Sequence, residues 1–188
     1  MLAPAATMGF AKTGAALSPD GKIKAFSSDA NGICRAEGGG VFVLKRLSEA
    51  ERDGDQILAV IKGSAVNSDG RSNGMTAPNP DAQVSVLRQA YADAGVNPRE
   101  VDYIEAHGTG TILGDPIEAT ALGQVLGRGR DADKPTLLGS AKTNFGHMES
   151  AAGAVGLAKV VLGMNKDSLP ATLNFAGPNP YIDFETAR

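Results

Sequence analysis

Two short apolar runs, Val101 to Glu105 and Leu137 to Ser140, each lead into a glycine-rich turn and then into a helix pattern of small residues. That repetition narrows the folds open to the chain. Parallel strands need a crossover long enough to hold a helix, and successive strand–helix units stack as a sheet with helices on its faces. The same two turns carry both histidines of the chain, His107 and His147. In open α/β folds, ligands bind beyond the carboxyl ends of the strands. The pattern therefore predicts that two imidazoles and Lys142 converge on one pocket.

The rest of the chain reads as follows. Residues 1–25 are short, Ala-rich and punctuated by turns, with a β-turn signal at Ser18-Pro19-Asp20-Gly21. Residues 26–40 form a polar loop that ends in Gly38-Gly39-Gly40. Val41 to Leu44 and Ile57 to Ile61 read as buried strands, with a short helical segment from Ser48 to Asp53 between them. A long Gly/Asn/Ser/Asp/Pro loop runs from Gly63 to Pro80. Over 81–94, Val84, Leu87, Ala90, Tyr91 and Ala94 hold the spacing of an amphipathic helix, and Gly95 closes it as a C′ glycine. Further helices are predicted over Pro116 to Leu126, with Asp115 as N-cap and Pro116 at N1, and over Ser150 to Met164. The expected division is 1–66 as the end of one structural half, 67–80 as a connecting loop and 81–188 as a second half.

Composition excludes several function classes. The net charge is −3, with no basic stripe, which argues against nucleic acid and against an anionic membrane surface. The longest small-apolar stretch, Ala151 to Met164, is broken by Lys159 and is too short to span a bilayer. Met1-Leu2-Ala3-Pro4 shows no signal-peptide pattern. The single cysteine, Cys34, rules out an intrachain disulfide and fits a reducing, cytoplasmic setting. Arg35 beside it favours a thiolate, but a small half-buried residue is the simpler reading of Cys34.

The first histidine turn runs His107-Gly108-Thr109-Gly110-Thr111-Ile112-Leu113-Gly114-Asp115-Pro116-Ile117-Glu118. Its glycines permit close backbone approach to a ligand, and Thr109 and Thr111 stand at alternate positions. As a dinucleotide loop it fails, because the third glycine is one place late, and no Lys-Ser/Thr follows for a P-loop. The second turn packs Lys142, Asn144 and His147 into six residues. Glu149 stands at the start of the following helix, where its charge suits the helix dipole, and within reach of Lys142. Ala151, Ala152, Gly153, Ala154 and Gly156 permit close contact between that helix and the sheet. Zinc is not expected: His147-Met148-Glu149 mimics H-x-E, but no cysteine pair follows.

Together, Glu105-Ala106-His107-Gly108-Thr109-Gly110-Thr111, Gly114-Asp115-Pro116-Ile117-Glu118 and Gly139-Ser140-x-Lys142-x-Asn144-x-Gly146-His147-x-Glu149-x-Ala151-Ala152-Gly153 closely resemble the ketosynthase domain of modular type I polyketide synthases. The resemblance extends to Leu17 to Gly21, to Glu37-Gly38-x-Gly40-Val41 and to Ser68 to Gly74, so it covers essentially the whole chain. It implies a thiolase-like fold, layered α/β/α, of which this chain holds mostly the C-terminal half.

The resemblance further implies decarboxylative Claisen condensation with a malonyl-type extender. His107 and His147 are then the catalytic pair that stabilises the enolate, and Lys142 orients one imidazole and sets local charge. Thr109, Thr111 and Asn144 would contact the phosphopantetheine arm of an acyl carrier protein, with Asp115, Glu118 and Glu149 in support. No metal and no directly bound cofactor are expected. The implied partners are the carrier protein, the remaining ketosynthase segments and the other synthase domains, with homodimerisation in the intact enzyme. The family's Thr-Ala-Cys-Ser-Ser-type nucleophile turn and its closing Gly-Phe-Gly-Gly-Thr-Asn-type loop are absent. The chain is therefore expected to carry the decarboxylation half of a site without the acyl-transfer half, and to be inactive alone. The alternative from another class is a non-catalytic scaffold or carrier-protein docking fragment.

Overall fold

Strands β1 (Tyr103–Glu105) and β2 (Leu137–Gly139) pair in parallel, with Ile104 opposite Leu138. This is a computed structural model; it describes residues 4–12, 17–74, 77–127, 129–131 and 133–185. In chain order the helices are α1 (Pro4–Lys12), α2 (Leu47–Asp53), α3 (Pro80–Ala94), α4 (Gly114–Leu122), α5 (Lys142–Phe145) and α6 (Ala152–Lys166). Both strands are shorter than predicted, but the ladder continues past them. Leu137 N–H donates to Asp102 at 2.8 Å and Ala106 N–H to Gly139 at 2.8 Å.

Alternation along β1 assigns its two faces. Ile104, with Leu138 of β2, packs on the core cluster of Ile23, Ala25, Phe26, Ala106, Ala119 and Ile182. Ala119 brings α4 to that face. Tyr103 and Glu105 point the other way, toward Lys159 and Gly156 of α6. Helices thus cover both faces of the sheet, the layering expected from strand–helix alternation. Gly156 permits the close approach of α6: a Cβ there would lie 3.0 Å from Glu105 Cγ.

Several local expectations hold. Gly95 ends α3 with φ 61°, and Val96 N–H returns to Tyr91 O. The Ser18 to Gly21 turn is present, with Gly21 at φ 70° and its N–H directed to Ser18 O. The described residues between Gly63 and Asn79 carry no helix or strand.

Other expectations are corrected. Val41–Leu44 and Ile57–Ile61 join no sheet among the described residues, and they are exposed rather than buried; Val43 is 95 % exposed. An apolar run of that length favours a strand, yet burial also requires a neighbouring strand and a covering layer, which the described residues do not supply. Residues 1–25 hold helix α1, and Ile23 and Ala25 from that region, with Phe26 from the start of the expected polar loop, belong to the core cluster. The predicted helix over Pro116 to Leu126 starts at Gly114 and loosens into a π-helical turn over Gly123–Gly127. Asp115 is not its N-cap: it lies in the first turn, and its carboxylate is used elsewhere. The last predicted helix, from Ser150, begins as a 3-10 turn over Glu149–Ala151 before α6.

Candidate active site

The turn after β1 is held by two acidic residues of α4. Glu118 accepts the backbone N–H of His107 through Oε1 (2.7 Å) and that of Gly108 through Oε2 (2.8 Å). Asp115, 1 % exposed, accepts Phe26 N–H at 2.7 Å and Gly110 N–H at 3.1 Å. Phe26 sits at φ 59°, a costly conformation for a bulky residue, and that hydrogen bond holds it there. Burial raises the pKa of both carboxyls, outweighing the backbone N–H groups that lower it. A loop that leaves the sheet edge is thereby given a fixed shape.

The turn after β2 is held from the opposite side. His147 N–H donates to Cys34 O (2.7 Å) and Ala36 N–H donates to His147 O (3.0 Å), a parallel bridge centred on Arg35 and His147. Gly146 makes that contact possible. Its φ of 76° and ψ of −179° are essentially restricted to glycine, and a Cβ would stand 2.7 Å from Ala36 Cβ. Glu149 N–H donates to His147 Nδ1 at 3.0 Å. An accepting Nδ1 leaves the ring proton of neutral His147 on Nε2.

The two imidazoles meet edge to face, with centroids 5.4 Å apart and planes at 83°. They share a cavity of about 560 Å³ with Lys142, Glu105, Glu149, Met148 and the inner face of α6. Burial pulls the pKa of His107 down to about 4, and the charges of Lys142 and His147 add to the shift. His147 is lowered by burial and by Lys142 and Arg35, against the opposing charge of Glu149. Lys142 is also lowered by burial, with Glu118 and Glu105 pulling the other way. The site therefore presents two neutral imidazoles at neutral pH. One of them is locked as an Nε2–H donor beside a buried lysine.

Of the residues singled out in the sequence, His107, His147, Lys142 and Glu149 share the cavity wall. Asp115 and Glu118 lie behind it and hold its backbone. Thr109, Thr111 and Asn144 stand outside that wall. Thr109 is buried with its hydroxyl 3.4 Å from that of Thr111, Thr111 accepts Gly114 N–H, and Asn144 is exposed and accepts from Thr143. Glu149 does not pair with Lys142: Nη2 (2.5 Å) and Nε (2.7 Å) of Arg35 both reach its Oε1. Arg35 is thus committed to Glu149, while Cys34 packs against the core cluster.

Two contributors went unseen in the sequence. Glu105 accepts Ala141 N–H (2.5 Å), Tyr103 OH (2.6 Å) and Lys159 Nζ (2.8 Å), joining β1, the start of the Lys142 turn and α6. The i, i+2 spacing of Tyr103 and Glu105 on a strand was the available signal. Arg35 is the other, and nothing local marks a partner 114 positions away. Among the described residues, no group of three or more His, Cys, Asp or Glu side chains is placed to hold a metal. No helix among them is long and apolar enough to cross a membrane.

A parallel sheet covered on both faces, with two histidines meeting beyond its carboxyl edge, places the chain among α/β proteins with a histidine-lined cavity, and comparison with known proteins names the family. Residues 58–176 match the family described as beta-ketoacyl synthase, C-terminal domain, and residues 1–50 match its N-terminal domain. The chain belongs to the beta-ketoacyl synthase family, and its fold is thiolase-like. It is 59 % identical over 188 residues to a phenolphthiocerol/phthiocerol polyketide synthase of Mycobacterium tuberculosis, covering all of this chain and 10 % of that protein. It is 53 % identical over 171 residues to erythronolide synthase EryA2 of Saccharopolyspora erythraea, covering 91 % of this chain and 5 % of that protein. Among solved structures, the ketosynthase from module 6 of the bacillaene synthase of Bacillus subtilis 168 superposes with a TM-score of 0.93 at 44 % identity, covering 99 % of this chain and 34 % of that one. The oxazolomycin ketosynthase domain OzmH KS7 of Streptomyces albus JA3453 gives 0.91 at 41 % identity, covering 97 % and 31 %. The chain therefore spans about a third of the ketosynthases it superposes on.

Proposed function

We propose that this chain supplies the decarboxylating half of a β-ketoacyl synthase site in a modular polyketide synthase. The observation that carries the reading is the edge-to-face pair of neutral imidazoles, with His147 locked as an Nε2–H donor. A malonyl-type thioester placed with its carbonyl oxygen at these donors loses carbon dioxide as its C–C bond breaks. The electron pair passes into an enolate, and two N–H groups stabilise the oxygen that gains the charge. Neutral donors matter here: a hydrogen bond stabilises the enolate, whereas a protonated imidazole would hand over its proton and quench it. The enolate carbon then attacks the acyl thioester on the family's cysteine, the C–S bond breaks, and the thiolate departs.

Burial keeps both imidazoles neutral and the charge of Lys142 adds to it, while Asp115, Glu118 and Glu149 keep the turns in place. Thr109, Thr111 and Asn144 serve the phosphopantetheine arm of an acyl carrier protein, which brings the substrate in place of any directly bound cofactor. The working enzyme is a cytoplasmic homodimer within a larger synthase. Residues 1–66 and 81–188 belong to its two thiolase halves, joined by 67–80.

His107→Ala and His147→Ala in the complete ketosynthase are expected to cut decarboxylation of a malonyl-carrier thioester by about 10²–10³-fold each. Lys142→Ala is expected to slow the same step. Released carbon dioxide and elongated product are the readouts, and normal elongation in either histidine variant would overturn the proposal.

A further inference from the structure

We infer that Arg35 is a positioning residue for the His147 imidazole, acting through Glu149. The inference rests on the role of His147 proposed above and adds a residue from the far side of the chain.

The geometry forms a closed circuit. The Cys34–Ala36 segment holds the His147 backbone by two hydrogen bonds, of 2.7 and 3.0 Å. Glu149 holds the His147 ring through Nδ1. Arg35, between Cys34 and Ala36, holds Glu149 by its carboxylate at 2.5 and 2.7 Å. The guanidinium is itself fixed: its side chain is 7 % exposed, Nη1 donates to Thr7 Oγ1 at 2.9 Å, and Cζ lies 4.7 Å from the Phe10 ring centroid.

Glu149 needs such a clasp. It is a non-glycine residue at φ 50°, a left-handed conformation that persists only where its surroundings impose it. In that conformation its N–H points at His147 Nδ1. Two guanidinium donors converge on one carboxylate oxygen from a planar, rigid group, a geometry that a single lysine ammonium would not reproduce.

The clasp also contributes charge. The ionisable groups facing His147 are Lys142 of α5, His107 beyond β1, Glu149 and Arg35. Arg35 disfavours the imidazolium and Glu149 favours it. Removing either charge therefore moves the acidic limb of the pH profile, and the two removals move it in opposite directions.

The test uses the complete ketosynthase with Arg35→Gln, Arg35→Lys, Glu149→Gln and the Arg35→Gln/Glu149→Gln pair. Decarboxylation of a malonyl-carrier thioester is followed from acidic to neutral pH, and His107→Ala serves as control. Arg35→Gln is expected to lower kcat about tenfold with KM nearly unchanged, because misplacement by a fraction of an ångström costs rate. Its acidic limb moves to higher pH, that of Glu149→Gln moves to lower pH, and the pair falls between them. Arg35→Lys restores the position of the limb while recovering only part of kcat. Limbs that stay fixed, or that move together, would overturn the inference, because a purely structural loss lowers the amount of folded enzyme without shifting its titration. Undiminished decarboxylation in His107→Ala would instead overturn the functional reading.

Discussion

With its pKa lowered to about 4, His107 remains neutral over a range in which an unfolded histidine titrates near 6.5. Between those two values this site binds more protons in the unfolded chain than in the folded one, so the stability that His107 contributes falls as pH drops from about 6.5 toward 4. Denaturant midpoints across that window should show a decline that is smaller in His107→Gln than in the parent, the remainder being carried by His147, whose pKa is also lowered. Asp115 gives a second prediction at this scale. Asp115→Ala leaves Phe26 N–H and Gly110 N–H buried without their acceptor, which costs about 2–4 kcal/mol by denaturant titration. Asp115→Asn keeps one acceptor oxygen and should cost less. The sequence marked Asp115 as important through its place before Pro116, but as a helix cap. Its actual bond to Phe26 spans 89 positions and has no local signature.

Strand β1 and helix α6 are joined by the Lys159–Glu105 ion pair, whose side chains are 11 % and 12 % exposed. Removing one member leaves the other charged and buried, so Lys159→Met should destabilise the fold by about 3–5 kcal/mol. Adding Glu105→Gln should return part of that loss, and a double-mutant cycle in denaturant reads the coupling. At the α5 turn, Gly146→Ala meets both a glycine-only backbone conformation and the Ala36 methyl, and should cost about 1–3 kcal/mol while slowing decarboxylation.

The elements around these contacts were partly legible in advance. The spacing of Val84, Leu87 and Tyr91 and the stop at Gly95 identified α3, because helix period and αL caps are local properties. The two strand–turn–helix units were legible for the same reason, and with them the meeting of His107, His147 and Lys142. The burial attributed to Val41–Leu44 and Ile57–Ile61 was not, because a run of β-branched residues specifies an extended backbone and says nothing of what lies beside it. The core residues Ile23, Ala25 and Phe26 were hidden in a segment without any period. The Arg35–Glu149 pair was hidden too, since each residue had a nearer candidate partner in sequence.

Across the whole molecule, segments 41–44 and 57–61 leave Val41, Val43, Leu44, Leu58 and Ile61 more than half exposed and without strand partners among the described residues. Exposed apolar segments of this kind are sites for association. The 188-residue chain expressed by itself is expected to bind hydrophobic dyes and to elute at a size that grows with concentration, as light scattering would show. A monomer at every concentration would mean that these segments find cover within the chain.

The bridge from Arg35 to Glu149 and His147 has a consequence for anyone exchanging parts between related synthases. A crossover point placed between residues 50 and 58, where the two family matches part, looks harmless because every signature motif stays whole on one side or the other. It nevertheless takes the arginine from one parent and the glutamate and histidine from the other. Hybrids joined there inherit a contact that neither parent ever optimised, whereas hybrids that carry residues 35 to 149 from a single source keep it intact.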